Sequence, residues 1–128
     1  MLDGKPIPKE KKGMSLGYWR RKCDALMQEI GTRDNPQCTL CNQPCNVMHH
    51  FFPKSVSAYL RYDWRNLIPL CNGCHNRLHQ SGDPSYEQRI ISIRGQPWYD
   101  ELDKVRRTEI KVNVGYYRNV KAELEKML

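Results

Sequence analysis

"NLIPLCNGCHNRLHQSG", residues 66–82, joins a short apolar run to a Cys-x-x-Cys and then to two histidines four residues apart. The run at 66–70 reads as a buried strand, being too short for a helix and closed by a cysteine. The residues after Cys74 read as a short helix that stops at Gly82. On such a helix His75 and His79 share one face, so their neutral imidazoles can chelate a single ion. A strand that runs into a metal-binding helix therefore decides the fold.

Upstream lies "CNVMHHFFPK", residues 45–54, with a second strand candidate at 47–50. A strand points successive side chains to opposite faces, so His49 and His50 are set to do different work. Cys38 and Cys41 form a second Cys-x-x-Cys, separated by 29 residues from the pair Cys71 and Cys74. Two such pairs in a chain without a secretory signal favour a tetrahedral four-thiolate zinc site. Two disulfides, or merely buried thiols, are the alternative, and Cys45 is spaced so that it can replace one of the four. Cys23 falls on the apolar stripe of a helix and reads as an inert buried thiol.

The chain has 128 residues, 39% of them hydrophobic, with a mean hydropathy of −0.78. That is one domain with a lean core, which a bound metal would staple. Lys and Arg number 21 against 14 Asp and Glu, a net charge of +7 that favours a polyanionic partner. The acids thin out in the middle: residues 38–80 carry four positive groups and one negative. Lys54, Arg61, Arg65 and Arg77 are the candidate phosphate contacts there. No apolar run approaches 18 residues and no hydrophobic leader opens the chain, so neither a membrane span nor a signal peptide is expected. A reducing, cytoplasmic setting follows, the host cytoplasm if the chain is phage-encoded.

Residues 1–14 mix proline, glycine and lysine and read as a flexible basic arm. From Ser15, a good N-cap, the apolar positions Trp19, Cys23, Leu26, Met27 and Ile30 recur at helical spacing, with Gly31 as the expected stop. Asp83 and Pro84 open a helix to about residue 94, Pro97 opens another, and Asn113 caps a last one. The expected architecture is α+β: one domain over 15–128, with a core at 38–80 and a helical extension at 83–128.

The order His-His, a gap, then Asn-Leu-Ile-Pro-Leu-Cys-x-x-Cys-His and a further His resembles the HNH nuclease family. The resemblance covers about 38–80 and implies a small ββα-metal core stapled by a four-cysteine zinc site. It implies that His49, His75 and His79 hold a catalytic divalent cation (Mg2+, Mn2+, Ni2+ or Zn2+) and that His50 is the general base. Asn66 would tie down the loop after the first strand and so orient His50. The tail from His79 onward is similar to that of phage recombination endonucleases of the NinG or Rap group. These resemblances imply a metal-dependent endonuclease acting on duplex or branched DNA, in which cutting both strands would suit a homodimer. The rival readings are a noncatalytic, zinc-stapled DNA-binding module and a zinc-organised protein-interaction domain.

Overall fold

A computed structural model of the chain describes residues 14–128. The basic arm expected at 1–14 thus lies, except for Met14, outside the described residues. The elements are α1 (Leu16–Asp34), β1 (Val47–His50), β2 (Leu67–Leu70), α2 (Asn72–Ser81), α3 (Ser85–Arg94), α4 (Gln96–Val105) and α5 (Val114–Glu125), with a single 3-10 turn at Trp64–Asn66 just before β2. This is the expected α+β class, a two-stranded sheet among helices. The chain divides into two compact units, one of residues 14–26 with Lys111–Leu128, the other of Met27–Ile110.

In the first unit Ser15 caps α1 by accepting the Tyr18 N–H on its hydroxyl at 3.2 Å, and Asn113 caps α5 by accepting the Tyr116 N–H at 2.8 Å. Tyr117 and Leu124 are buried, and the buried Cys23 thiol donates to the Tyr117 carbonyl at 3.4 Å.

In the second unit β1 and β2 pair antiparallel, from Val47 opposite Leu70 to His50 opposite Leu67. All four residues of β2 are buried, whereas β1 is buried only at Met48 and His49. Met48 faces Pro69. The Phe51 N–H donates to the Asn66 carbonyl at 2.8 Å, which makes every second pair from there a hydrogen-bonded one and leaves Met48 and Pro69 as a pair whose backbone groups point outward. Proline is tolerated at that place because no ladder bond is lost. The outward groups are met on both sides: the Pro69 carbonyl accepts the Thr39 N–H at 2.8 Å, and the Gln28 carboxamide on α1 both donates to the Met48 carbonyl and accepts its N–H, each at 2.9 Å. Gln28 thereby does for the outer edge of β1 what a third strand would do. Behind the sheet, Cys38, Phe51, Ile68, Leu70, Cys74 and Ile90 form the core, and the Phe51 ring meets Trp98 edge-on at 5.1 Å.

Gly31 is not the end of α1, which runs one more turn to Asp34. A Cβ at Gly31 would overlap the Met48 side chain, with Sδ only 2.9 Å away. The glycine is kept for close approach of helix to strand rather than for termination. On helix propensity alone Gly31→Ala would stabilise by about 1 kcal/mol. We expect overpacking to reverse the sign, with a loss of about 1–3 kcal/mol read as a lower melting temperature by circular dichroism.

Candidate functional site

Two knuckles converge beside the sheet. In the first, the Cys38 N–H donates to the Gln43 carbonyl at 2.7 Å, the Asn42 N–H donates to the Cys38 carbonyl at 3.0 Å, and Asn42 takes the left-handed conformation at φ 65°. Asparagine is among the few side chains that enter that region at small cost. In the second, Cys71 is the N-cap of α2 and its sulfur accepts the Cys74 N–H at 3.3 Å. That bond leads the causes that hold the Cys71 thiol down at about 7, whereas burial pushes the Cys74 thiol up to about 12. The four sulfurs of Cys38, Cys41, Cys71 and Cys74 lie within 4.8 Å of one another, with Cys41 and Cys71 at 3.6 Å. Tetrahedral zinc with Zn–S near 2.3 Å separates its sulfurs by roughly 3.8 Å, so the donor set fits a structural zinc ion. None of the six cysteines is in a disulfide. Cys45 is outside the cluster, its sulfur 3.5 Å from the Val47 carbonyl, so the alternative in which it replaces a ligand is not the one adopted.

The histidines gather a short way off. Gly82, at φ 66°, ends α2 as the sequence suggests, and the i, i+4 spacing puts the His75 and His79 rings on one face with their Nε2 atoms 2.9 Å apart. The His49 ring on β1 meets each of them with centroids 5.3 Å apart, and one ring nitrogen from each of the three lies within 4.8 Å of the others. His49 is 8% exposed. Burial above all, then the neighbouring imidazoles, lowers its pKa to about 3, and burial lowers that of His75. Three neutral imidazoles held together, with no carboxylate in the group, fit a divalent cation, which takes deprotonated nitrogen.

His50 points to the other face of β1, where its Nε2 is 2.9 Å from the Arg61 carbonyl. A carbonyl only accepts, so Nε2 carries the hydrogen and Nδ1 the lone pair. Both faces of the strand nevertheless serve one cleft of about 300 Å³, bordered by Gln28, His49, His50, Lys54, His75 and His79.

Asn66 is fully buried. Its Oδ1 accepts the Phe52 N–H at 2.9 Å, and its Nδ2 donates to the carbonyls of Phe52 at 3.0 Å and Leu60 at 3.3 Å. The start and the middle of the loop between the strands are thus tied to one carboxamide, next to the Arg61 carbonyl that holds His50. The sequence reading missed the far side of this arrangement. Trp98 Nε1 donates to the Arg65 carbonyl at 2.8 Å and Arg94 donates to the Leu67 carbonyl at 3.0 Å, so α3 and α4 grip the backbone on either side of Asn66. Only an indole and a guanidinium at helical spacing stood in the sequence, with nothing to mark their targets.

The four expected phosphate contacts do not share a surface role. Lys54 borders the cleft. Arg61 lies over the Tyr62 ring at 5.7 Å. Arg65 is ion-paired with Asp63 at 2.7 Å, and Arg77 donates to the Cys74 sulfur at 3.3 Å, against the thiolate cluster.

Two outcomes are expected. Cys71→Ser should lose bound zinc, measured by atomic emission, and melt at a lower temperature, because binding energy of the folded form alone is folding energy. The depressed His49 pKa means that the folded state resists protonation there, so its stability contribution is complete above about 6.5, the ordinary value, and is lost as pH falls toward about 3. Melting temperature measured without added divalent cation should fall over that window, and His49→Phe should flatten the decline.

No curated protein and no solved structure matches the chain. Residues 38–81, about a third of its length, match the model of the family described as HNH endonuclease. The matched segment runs from the first cysteine knuckle to the end of α2.

Proposed function

We propose that the chain is a divalent-metal-dependent endonuclease that hydrolyses phosphodiester bonds of DNA. The observation that carries this reading is the placement of His50, its tautomer set by the Arg61 carbonyl, in the same cleft as the three converged imidazoles. Hydrolysis needs a proton taken from the attacking water and positive charge near the phosphate. His50 receives that proton at Nδ1, while the Arg61 carbonyl, accepting from Nε2, steadies the imidazolium that forms. Asn66 acts as a positioning residue by fixing the loop that carries the carbonyl. Lys54 offers its ammonium to a phosphate entering the cleft. A divalent cation held by His49, His75 and His79 would supply stabilisation of charge on the phosphate and on the departing oxygen.

The similarity of the tail to phage recombination endonucleases supports branched or single-strand-containing DNA as the substrate class, with duplex DNA as the simpler case. A homodimer would suit two cuts on one duplex. No described helix is long and apolar enough to cross a membrane.

The test is cleavage of supercoiled plasmid and of a synthetic branched DNA with Mg2+, Mn2+, Ni2+ or Zn2+. His50→Ala is expected to keep its zinc, its fold and its DNA binding while losing at least about a hundredfold in rate. DNA binding without cleavage by the wild type under every metal would favour the noncatalytic module instead. Equal rates for wild type and His50→Ala would remove His50 from the chemistry.

A further inference from the structure

The positive charge is unevenly shared. The described residues of the unit made by 14–26 and Lys111–Leu128 hold seven Lys or Arg and three Asp or Glu, whereas Met27–Ile110 holds ten and nine. The unit that carries the HNH domain is therefore close to neutral, and the other is the basic one.

Within the basic unit the cations are interleaved with aromatic rings along a continuous path. Lys22 Nζ lies over the Tyr18 ring at 5.4 Å, Tyr18 meets Trp19 edge-on at 5.6 Å, and the Arg118 guanidinium lies over Trp19 at 5.6 Å. Trp19, Arg118, Lys121 and Glu125 border a cleft of about 280 Å³, and Glu125 pairs with Lys121 at 2.7 Å. Lys22 and Arg118 are exposed, the two rings are half-buried, and among the described residues no carboxylate pairs with either cation. A merely solvated basic face needs no aromatic between its charges. A duplex backbone, likewise, offers phosphates and no exposed ring to stack on.

We infer that this path of Lys22, Tyr18, Trp19 and Arg118 is a binding surface for single-stranded DNA, with unpaired bases stacking on the rings and phosphates meeting Lys22 and Arg118. Alternating cations and partly exposed aromatics are what unpaired nucleotides require, since each base presents a stacking face and each linkage a charge. The choice of DNA rests on the endonuclease reading above. The surface gives that reading a substrate feature, a single-stranded segment held by a unit other than the one that cuts.

Fluorescence anisotropy tests it with the full chain, zinc-loaded and without other divalent cation, so that binding is read in the absence of cleavage. The probes are an oligothymidylate of about 20 nucleotides, a single site's length or a little more, a duplex of equal length, and the matching single-stranded RNA. Lys22→Gln/Arg118→Gln should weaken oligothymidylate binding about tenfold and reduce its salt slope by about 1.4, two contacts at roughly 0.7 each. Duplex binding should change less than about twofold, because no stacking platform serves it. Trp19→Leu should give a similar single-strand loss of about tenfold with little change in the salt slope, provided that circular dichroism shows α-helix content retained; the exposed double variant decides the matter if it does not. Equal loss on single strand and duplex would overturn the single-strand assignment, no loss on either would overturn the surface, and tighter binding of RNA than of DNA would overturn the choice of nucleic acid. Because cleavage is not the readout, a protein that cuts nothing can still satisfy this test, and one that cuts well can still fail it.

Discussion

One buried carboxamide organises the unit of Met27–Ile110. Asn66 spends its Oδ1 and Nδ2 on Phe52 and Leu60, at the start and in the middle of the loop between the strands, and it sits in a turn whose flanking carbonyls are held by Trp98 and Arg94. A buried amide left without partners would cost about 1–3 kcal/mol, so a loop that satisfies it has few alternative courses. The consequence reaches His50 through the Arg61 carbonyl, one residue beyond Leu60. A loop of some sixteen residues would ordinarily wander; here it presents a carbonyl where a ring nitrogen needs it.

The second constraint is the crowding of donors. Four sulfurs and three imidazoles are each gathered with no carboxylate among them, and Arg77 donating to the Cys74 sulfur is the cation drawn onto the thiol cluster. Thiolates so close repel one another unless a metal ion neutralises them, and burial first, then the neighbouring imidazoles, keeps the His49 ring neutral. A bound ion would neutralise the thiolates and accept the neutral imidazole nitrogens; the thiol group joins two loops, whereas the imidazole group borders the cleft.

Local signals in the sequence were enough for much of this. The Ser15 and Asn113 caps, the stop at Gly82, the strand at Val47–His50, each Cys-x-x-Cys and the i, i+4 pair His75 and His79 are short-range patterns, each set by residues within a turn or two of one another. What was not legible depends on partners distant in the chain. Gly31 reads as a helix stop until Met48 is known to press on it. Gln28 reads as a polar helical residue until it closes the edge of β1, twenty positions away. Arg65 and Arg77 read as candidate phosphate contacts, and their bonds to Asp63 and to the Cys74 sulfur are a further feature that the sequence does not mark. The extension after Gly82 reads as scaffold, and only the contacts of Arg94 and Trp98 link it to the turn that carries Asn66.

The central claim is that three imidazoles from β1 and α2 share one cation in the cleft that His50 borders. Anomalous diffraction from crystals of the zinc-loaded protein soaked in Mn2+ or Ni2+ tests it without reference to activity. The account predicts a peak bounded by nitrogens of His49, His75 and His79 at metal-to-nitrogen distances of about 2.0–2.2 Å, near those of other imidazole sites. A soaked ion found only at the cysteine cluster, or bound elsewhere with the three rings apart, would contradict it.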